Sequence, residues 1–347
     1  MDSDTLIRDE IYASPEAMRL HREMIIFDCL SLSYILDPPY DERVLEGGVT
    51  ATNLTVAWEG QSWDEVLENI DQARTKIDKN GNLVFAETAA EVREAKKNGK
   101  VAVILGTQGS DFIDRHLSRV RILHKLGVRY IGLTYTGATL FADGCGEIRD
   151  AGLTFLGKEF IDAVNELPML LDLAHTGHRS RFEGATMAKH PVCTHSNAYA
   201  VNPNDRNTKD ESALIIAEKG GVMGVTGLVR AVAPCDSSIE HMVEHADHWV
   251  RRIGVQHTGL GLDFTEGFQD AQRDGKVTLK PPKWRTLRPD IFGTPEAFYT
   301  QKYPARLESI RKLPNFTHEL LSRGYDSVSV CEIMGRAWLR NFELAVG

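Results

Sequence analysis

Short apolar segments alternate with longer amphipathic segments along most of the chain, and this alternation constrains the fold more than any other feature of the sequence. The apolar segments are rich in Val, Ile and Leu and too short for typical helices, so they predict strands. These strands are predicted at Met24–Phe27, Thr50–Val56, Val101–Gly106, Tyr130–Thr134, Met169–Leu173, Pro191–Thr194, Val222–Thr226 and Thr258–Leu262, with Leu83–Ala86 as a candidate ninth. Helices are predicted between them, at Asp64–Lys79, Ala89–Asn98, Phe112–Leu126, Phe155–Glu166, Glu211–Lys219 and Ile239–Ile253.

The number of strands favours a closed (β/α)8 TIM barrel, an α/β fold in which helices surround a parallel sheet. A doubly wound open sheet stays an alternative, because the order of elements does not show whether the sheet closes. The chain has 347 residues and no linker rich in Pro, Gly or Ser, so we predict a single domain over residues 1–347. Residues 265–295 are predicted to be a long loop of the kind that covers active sites. Residues 304–344 are predicted to form two closing helices, broken at Gly324.

Composition and charge exclude several classes of partner. The 49 acidic and 40 basic residues give a formal charge of −9, which argues against nucleic acid or an anionic membrane surface. No apolar run reaches the roughly 18 residues that a membrane span needs. The five cysteines form no C-x-x-C pair, and the amino terminus is acidic without an apolar stretch, so we predict free thiols and a cytoplasmic protein. The predicted partner is a small molecule.

Polar residues follow or end the predicted strands, where the chemistry of a parallel barrel gathers. They are Asp28, Gln108, Tyr135, His175, His195 and Asp263. Two histidines and one carboxylate are a common ligand set for a divalent metal, and imidazole suits zinc in particular. The alternative is that His175 and His195 only form hydrogen bonds at the ends of their strands and bind no metal.

A second group of histidines has the spacing of a metal site but is predicted to lie on a helix, away from the carboxyl ends of the strands. The segment His241–His245 matches an H-x-x-E-H metalloprotease pattern. Because Ile239–Ile253 falls between the last two predicted strands, we place it on the outer ring of helices and predict a solvated helix without a catalytic role.

Several motifs together resemble the membrane (renal) dipeptidase family, whose members are metal-dependent barrels of the amidohydrolase type. The resemblance runs from about residue 18 to residue 344. It is carried by Leu171–His175, Pro191–Asn197, Asp205–Asn207 with Asp210, Gly220–Val225, Gly259–Phe264 and Gly152–Lys158. The resemblance implies that His175 and His195 bind one zinc and Asp263 another metal. It further implies that Arg206, with Asn207 beside it, holds the terminal carboxylate of the substrate.

The chain also departs from the family pattern. A His-x-Asp ligand pair is expected just after Asp28, but Cys29, Leu30 and Ser31 follow it. Gln108 replaces the glutamate that bridges the metals, and Tyr135 replaces the histidine that orients the substrate. A neutral amide cannot offset the repulsion between two cations as a carboxylate does, so we expect at most one zinc per chain. That ion would be bound by His175 and His195, with Asp263 or the Gln108 amide oxygen completing the site; a site without metal is the alternative.

Two functions follow from this site. The first is a dipeptidase-like hydrolase that cleaves an amide bond in a dipeptide or amino-acid derivative carrying a carboxylate. The second is a metal-independent lyase, isomerase or non-catalytic binding protein on a degenerate dipeptidase barrel. In either enzyme Asp263 and Tyr135 are the candidate catalytic groups, and Tyr135 is also a candidate substrate contact. The sequence leaves a homodimer open.

Overall fold

Eight parallel strands form the barrel, and a ninth short strand lies beside one of them. The computed structural model describes residues 11–300 and 303–347. Its strands are β1 (Phe27–Ser31), β2 (Ala51–Trp58), β3 (Leu83–Phe85), β4 (Val101–Gln108), β5 (Val128–Gly132), β6 (Leu170–Asp172), β7 (Pro191–Val192), β8 (Met223–Val225) and β9 (Thr258–Leu260). All the pairings between them are parallel, and the hydrogen-bonded order is β7-β6-β5-β4-β2-β1-β9-β8.

Backbone hydrogen bonds just beyond β7 close this sheet onto β8. The Cys193 amide donates to the Val222 carbonyl (3.1 Å), and the Gly224 amide donates to the Cys193 carbonyl (2.8 Å). β3 lies outside the ring, because it pairs with the first residues of β4 while β5 pairs with the later ones. The predicted TIM barrel is confirmed, and the open sheet is not observed.

Helices surround the barrel and close one of its two ends. They are α1 (Pro15–Glu23), α2 (Tyr40–Glu46), α3 (Trp63–Lys79), α4 (Ala89–Lys97), α5 (Ser118–Lys125), α6 (Phe155–Asn165), α7 (His178–Met187), α8 (Asp210–Glu218), α9 (Val229–Val232), α10 (Ile239–Ile253), α11 (Glu266–Arg273), α12 (Lys283–Leu287), α13 (Pro289–Phe292), α14 (Pro295–Thr300), α15 (Leu313–Ser322), α16 (Ser327–Cys331) and α17 (Ala337–Val346). The start of α3 shows why the sequence forms a helix there: Ser62 and Glu65 make a reciprocal capping box. Its buried residues recur at helical spacing and face the strands; they are Val66, Ile70, Ala73 and Ile77.

The last helix closes one end of the barrel. The Trp338 ring nitrogen donates to the Leu260 carbonyl (2.8 Å), and Phe342 stacks on Tyr130 with ring centroids 5.9 Å apart. Phe27, at the start of β1, packs against the rings of Trp338 and Phe342. Because Phe27 begins β1, the last helix lies against the end of the barrel opposite the carboxyl ends of the strands.

The first strand begins later than predicted. It runs over Phe27–Ser31 rather than Met24–Phe27, so Asp28 lies within β1 instead of following it. The apolar residues continue through Cys29 and Leu30, and both are buried. Met24 instead ends helix α1, whose N-cap is Ser14.

The segment predicted as a long loop contains short helices, α11, α12 and α13. They are too short for a helical period to show in the sequence. We call residues 265–299 the lid. Its attachment to the barrel includes the Trp284 ring nitrogen, which donates to Glu59 (3.0 Å), and an ion pair between Lys283 and Glu59 (2.8 Å). Arg288 adds an ion pair with Asp205 (2.8 Å). The lid is therefore a docked cover rather than an extended loop.

The carboxyl-terminal segment breaks at Gly324 as predicted, since that residue has a φ of 93° and follows helix α15. The predicted solvated helix Ile239–Ile253 forms, but His245 is fully buried. Its ring accepts from the Ala198 amide (3.1 Å) and donates to the Val232 carbonyl (2.9 Å). This histidine is part of the packing between elements, so the prediction of a fully solvated face is wrong at that position.

Some predictions stay untested. The amino-terminal segment used to predict a cytoplasmic location lies outside the described residues. Among the residues that are described, no helix is both long enough and apolar enough to cross a bilayer. The single-domain organisation, the cytoplasmic location and a homodimer stay predictions.

Candidate active site

Two imidazoles face each other at the carboxyl ends of β6 and β7. The Nε2 atoms of His175 and His195 are 3.0 Å apart, and both side chains are buried. His175 has a left-handed backbone with a φ of 64°, a conformation that non-glycine residues adopt mostly at functional or strained sites. Burial and the nearby Arg206 charge hold the pKa of both histidines well below its usual range, so both rings are neutral.

A buried threonine and aspartate orient His195. The Thr194 hydroxyl donates to Asp172 Oδ2 (2.5 Å), and its oxygen lies 2.7 Å from His195 Nδ1. Because the only hydroxyl proton goes to the carboxylate, His195 Nδ1 must be the donor to Thr194. The Nε2 atom of His195 therefore keeps its lone pair and points towards His175. This is how second-shell groups usually set the tautomer of a metal-binding histidine.

Gln108 lies against the same imidazole pair. Its Nε2 donates to the Thr55 hydroxyl (2.9 Å), which leaves Oε1 facing His175 Nε2 at 3.1 Å. The Thr136 hydroxyl oxygen lies 3.4 Å from His175 Nδ1, so it can accept a hydrogen bond from Nδ1 when the ring proton is on that nitrogen. His195 Nε2 and the Gln108 amide oxygen thus both lie within 3.1 Å of His175 Nε2.

The spacing of the two imidazole nitrogens fits the metal that the motifs imply. Two nitrogens bound tetrahedrally to zinc at about 2.0–2.1 Å lie about 3.3 Å apart, close to the 3.0 Å between the two Nε2 atoms. The tautomer of His195 and the place of the Gln108 oxygen also suit one ion. No group of three or more His, Cys, Asp or Glu side chains arranged for a metal occurs within residues 11–300 and 303–347. The residues fit one ion with neutral ligands and do not fit a two-metal centre.

Two buried carboxyl groups lie near each other beside this site. Burial raises the pKa of Asp263 to about 7, and the Arg206 charge opposes that rise. Burial also raises the pKa of Asp28 to about 7; two backbone amides oppose the rise and Asp263 adds to it. The amides are those of Leu262 (2.7 Å) and Leu30 (3.3 Å). Asp263, like His175, has a left-handed backbone, with a φ of 57°. Perturbed carboxyl groups of this kind are characteristic of sites that move protons.

A cavity of about 320 Å³, the site cavity, opens beside these groups. Its barrel side includes Gln108, Tyr135, His175 and Asp263, and the lid supplies Trp284, Arg285, Phe292 and Phe298. The Tyr135 ring stacks on His175 with centroids 4.1 Å apart. Burial raises the pKa of the Tyr135 phenol, so it stays protonated and can donate a hydrogen bond. The volume suits a small organic substrate.

Arg206 is a buried cation without a partner in the described structure. Its side chain is 1% exposed, and none of its three guanidinium nitrogens makes a hydrogen bond within residues 11–300 and 303–347. It lines a small cavity of about 30 Å³ that shares Leu228, Arg285 and Phe292 with the site cavity. A buried unpaired charge is costly, which points to an anionic ligand that pairs with it.

Two further residues singled out from the sequence hold different positions. Asn207 donates to the backbone carbonyls of Asn202 (2.9 Å) and Ala231 (2.8 Å), so its amide nitrogen supports the loop that carries Arg206. A substrate contact for Asn207 stays a prediction. Cys145 is buried, and burial raises the pKa of its thiol, which keeps it from being a reactive thiolate.

Three residues that shape the site were not predicted from the sequence. Asp172 and Thr194 orient His195. Two features of the sequence could have indicated them: Asp172 is a charged residue in an otherwise apolar strand, and Thr194 directly precedes His195. Arg181 is fully buried and donates to the carbonyls of Leu173 (3.1 Å) and Asn207 (2.8 Å), which ties β6 to the Arg206 loop. Nothing in the local sequence distinguishes it from a surface arginine.

The sequence comparisons match a family and relatives that are all described as dipeptidases. The chain matches the family model described as "Membrane dipeptidase (Peptidase family M19)" over residues 39–278. It is 34% identical over 210 residues to an uncharacterised dipeptidase of Schizosaccharomyces pombe, covering 58% of this chain and 50% of that protein. It is 30% identical over 284 residues to the dipeptidase verJ of Clonostachys rogersoniana, covering 81% of this chain and 65% of the relative. The chain thus spans about half to two thirds of the length of these relatives.

Solved structures show the same fold. An amidohydrolase from Pseudomonas aeruginosa has a TM-score of 0.83 at 25% identity and covers 95% of this chain and 99% of its own. A metallopeptidase from Rhodobacter sphaeroides, solved with a phosphinate mimic of the dipeptide L-Ala-D-Ala, has a TM-score of 0.73 at 20% identity. It covers 93% of this chain and 99% of its own.

Proposed function

The chain belongs to the membrane dipeptidase family, as its motifs predict, and from this premise we propose that it hydrolyses an amide bond in a small substrate with a free carboxylate. We further propose that it uses one divalent metal, with zinc the best match to the imidazole ligands. The observation that carries this proposal is the pair of His175 and His195 Nε2 atoms, 3.0 Å apart beside the site cavity.

In the proposed site, His175 and His195 would hold the metal and the Gln108 amide oxygen would complete the protein ligands. When bound, such an ion supplies Lewis acidity and lowers the pKa of water. A two-metal mechanism is not proposed, because the bridging position holds a neutral amide and the first-strand ligand pair is absent.

The remaining steps use groups of this chain. The Asp263 carboxylate, with a pKa of about 7, is suited to accept a proton from water and return it to the leaving amine. The protonated Tyr135 phenol can donate a hydrogen bond to the substrate carbonyl. Arg206 would bind the terminal carboxylate through its planar fork. The lid would exclude bulk water from the site cavity, which strengthens each of these interactions.

A second function is favoured by one specific observation. The described residues hold no group of three or more His, Cys, Asp or Glu side chains arranged for a metal. Without a metal, the carboxyl pair of Asp28 and Asp263 would be the proton-transfer groups of a lyase or isomerase, or the barrel would only bind its ligand.

Hydrolysis of simple dipeptides such as Ala-Ala, before and after metal removal, decides between the two functions. We expect activity that a chelator abolishes and zinc restores, and that falls by at least about 100-fold in His175→Ala and His195→Ala. His116→Ala is the matched control, since this histidine is exposed and is not among the residues that line the site cavity. Full activity in the chelated protein, or in either site variant, would refute a metal-dependent hydrolase.

A further inference from the structure

The site cavity has an apolar wall as well as a polar barrel side. The wall consists of Leu32, Phe268, Leu279, Trp284 and Phe298. Leu32 follows β1, and the other four residues belong to the lid. We call these five residues the apolar wall. A substrate group that contacts this wall is bound most favourably when it is itself apolar.

The apolar wall and Arg206 lie at different parts of the barrel mouth. Leu32 follows β1 and Arg206 follows β7, and in the closed ring these strands are separated by β8 and β9 on one side and by β2, β4, β5 and β6 on the other. Phe268 also lies near β1, because its ring packs edge-on against Tyr34 with centroids 5.4 Å apart. A substrate whose carboxylate is bound by Arg206 therefore directs its other end, the acyl side of the amide bond, towards Leu32 and Phe268.

A dipeptide carries a free ammonium group on that acyl side, and the site cavity has a single acid to pair with it. Among the described residues that line this cavity, only Asp263 is acidic, and the proposed function already uses it to carry a proton. Lys280 lines the same cavity and adds a positive charge. Because an enclosed ammonium group without a counter-charge is costly, this cavity disfavours a free amino group.

Other acids near the apolar wall are already paired. Glu266 and Asp270, which lie on the same helix as Phe268, form ion pairs with Arg43 at 3.8 and 3.0 Å. Glu59, which accepts a hydrogen bond from the lid, forms an ion pair with Lys283 (2.8 Å). None of these three acids lines the site cavity. They therefore do not supply the counter-charge that an ammonium group needs.

The first strand provides no acid for this role either. The family pattern places a His-x-Asp pair just after Asp28, whereas this chain has Leu30 and Leu32 in that stretch. Asp28 itself is buried, accepts hydrogen bonds from two backbone amides and does not line the site cavity. An apolar side chain, Leu32, thus contacts the cavity from the stretch in which the family pattern has an acid.

We propose that the substrate is an N-acyl amino acid with an apolar acyl group, rather than a dipeptide with a free amino group. This inference rests on the proposed function, in which Arg206 binds the carboxylate and the amide bond is hydrolysed. The acyl group packs on the apolar wall. Hydrolysis breaks the bond between the acyl carbon and the nitrogen; the carbon gains the oxygen of water and leaves as a carboxylic acid, and the nitrogen gains a proton and leaves as the free amino acid.

Phenylpropanoyl-Ala and Phe-Ala are the decisive substrates, because they differ only in the amino group of Phe-Ala. We expect the full chain with zinc to hydrolyse phenylpropanoyl-Ala with a kcat/KM at least about tenfold higher. Acetyl-Ala, which has no group to pack on the apolar wall, should also be at least about tenfold poorer than phenylpropanoyl-Ala. A kcat/KM for Phe-Ala or for acetyl-Ala that equals or exceeds that for phenylpropanoyl-Ala would overturn the proposal.

Phe268→Glu and Phe268→Gln separate charge from shape. Phe268 lies outside the stretch in which metal ligands are expected, and the two replacements have nearly the same size. Only the glutamate supplies a counter-charge for an ammonium group. The ratio of kcat/KM for Phe-Ala to that for phenylpropanoyl-Ala should be at least about tenfold higher in Phe268→Glu than in Phe268→Gln. The same ratio in both variants would show that the acyl side of the substrate does not lie at Phe268.

Binding measurements separate this inference from the proposed function. If phenylpropanoyl-Ala binds more tightly than Phe-Ala in calorimetry but neither compound is cleaved, the hydrolase is wrong and acyl recognition stands. If both compounds are cleaved and Phe-Ala is the equal or better substrate, the hydrolase stands and acyl recognition is wrong.

Discussion

Thr194 is the residue whose replacement tests the organisation of the site most sharply. Its hydroxyl donates to Asp172 Oδ2 (2.5 Å) and accepts from His195 Nδ1 (2.7 Å), and all three side chains are buried. Thr194→Val keeps the shape of the side chain and removes both hydrogen bonds. The His195 Nδ1 proton and one carboxylate oxygen would then be buried without partners.

The expected loss of stability follows from those two groups. A hydrogen bond to a charged group is worth about 1.5–3 kcal/mol, and an unsatisfied buried donor costs about 1–3 kcal/mol. We therefore expect Thr194→Val to lower the free energy of unfolding by about 3–5 kcal/mol. Because His195 would also lose the group that fixes its tautomer, zinc affinity should fall about 10- to 100-fold.

Urea denaturation and zinc titration measure the two effects. Thr186→Val is the matched control, because Thr186 is exposed and its hydroxyl only donates to the Phe182 carbonyl (2.8 Å) within helix α7. The control should change the free energy of unfolding by less than about 0.5 kcal/mol. If Thr194→Val unfolds within about 1 kcal/mol of the wild type and binds zinc equally well, the Asp172–Thr194–His195 arrangement does not set the site.

Three other changes test separate parts of the structure. Arg206→Met should weaken binding of a carboxylate ligand by more than about tenfold in calorimetry. The same change should raise the free energy of unfolding, because it removes a buried unpaired charge. A less stable variant would show that Arg206 is paired in the folded protein. Burial lowers the pKa of His21 from 6.5 to about 4, so the folded state rejects a proton that the unfolded state accepts. Stability should thus fall by about 3 kcal/mol as pH drops from about 6.5 to about 4, and His21→Gln should lose this part of the pH dependence in denaturation curves. Glu59→Ala removes the hydrogen bond to Trp284 and the ion pair with Lys283, so trypsin should cut the lid faster than in the wild type; an unchanged cleavage rate would mean that other contacts hold the lid closed.

The strands could be predicted because burial on a parallel sheet leaves a local signal. Runs such as Val101–Gly106 are apolar on both faces, and the polar residue after each run marks the end of the barrel where ligands bind. Helix α7 left no such signal, because the residues it buries are small or polar; they include Ser180, Arg181 and Gly184. The start of β1 was misplaced since Met24 and Ile25 are as apolar as the strand itself.

The part of the site that could be predicted is the part formed by residues whose type and position at a strand end indicate a function. His175 and His195 have recognisable types at recognisable places, so their proximity followed from the fold. The orientation of His195 through Asp172 and Thr194 depends on distances that sequence spacing does not give. The burial of Arg206 without a hydrogen-bond partner in the described structure is a property of the fold, and charge counts alone could not distinguish this arginine from a solvated one.

The central claim is that one metal, held by two histidines, supports amide hydrolysis. The most direct test is to strip the purified chain of metal and add zinc stepwise while dipeptide hydrolysis and bound metal are measured together. We predict that activity rises with zinc and reaches its plateau at one ion per chain, and that His175→Ala and His195→Ala abolish both binding and activity. Activity that is complete without metal, or a plateau reached only at two ions per chain, would contradict the account.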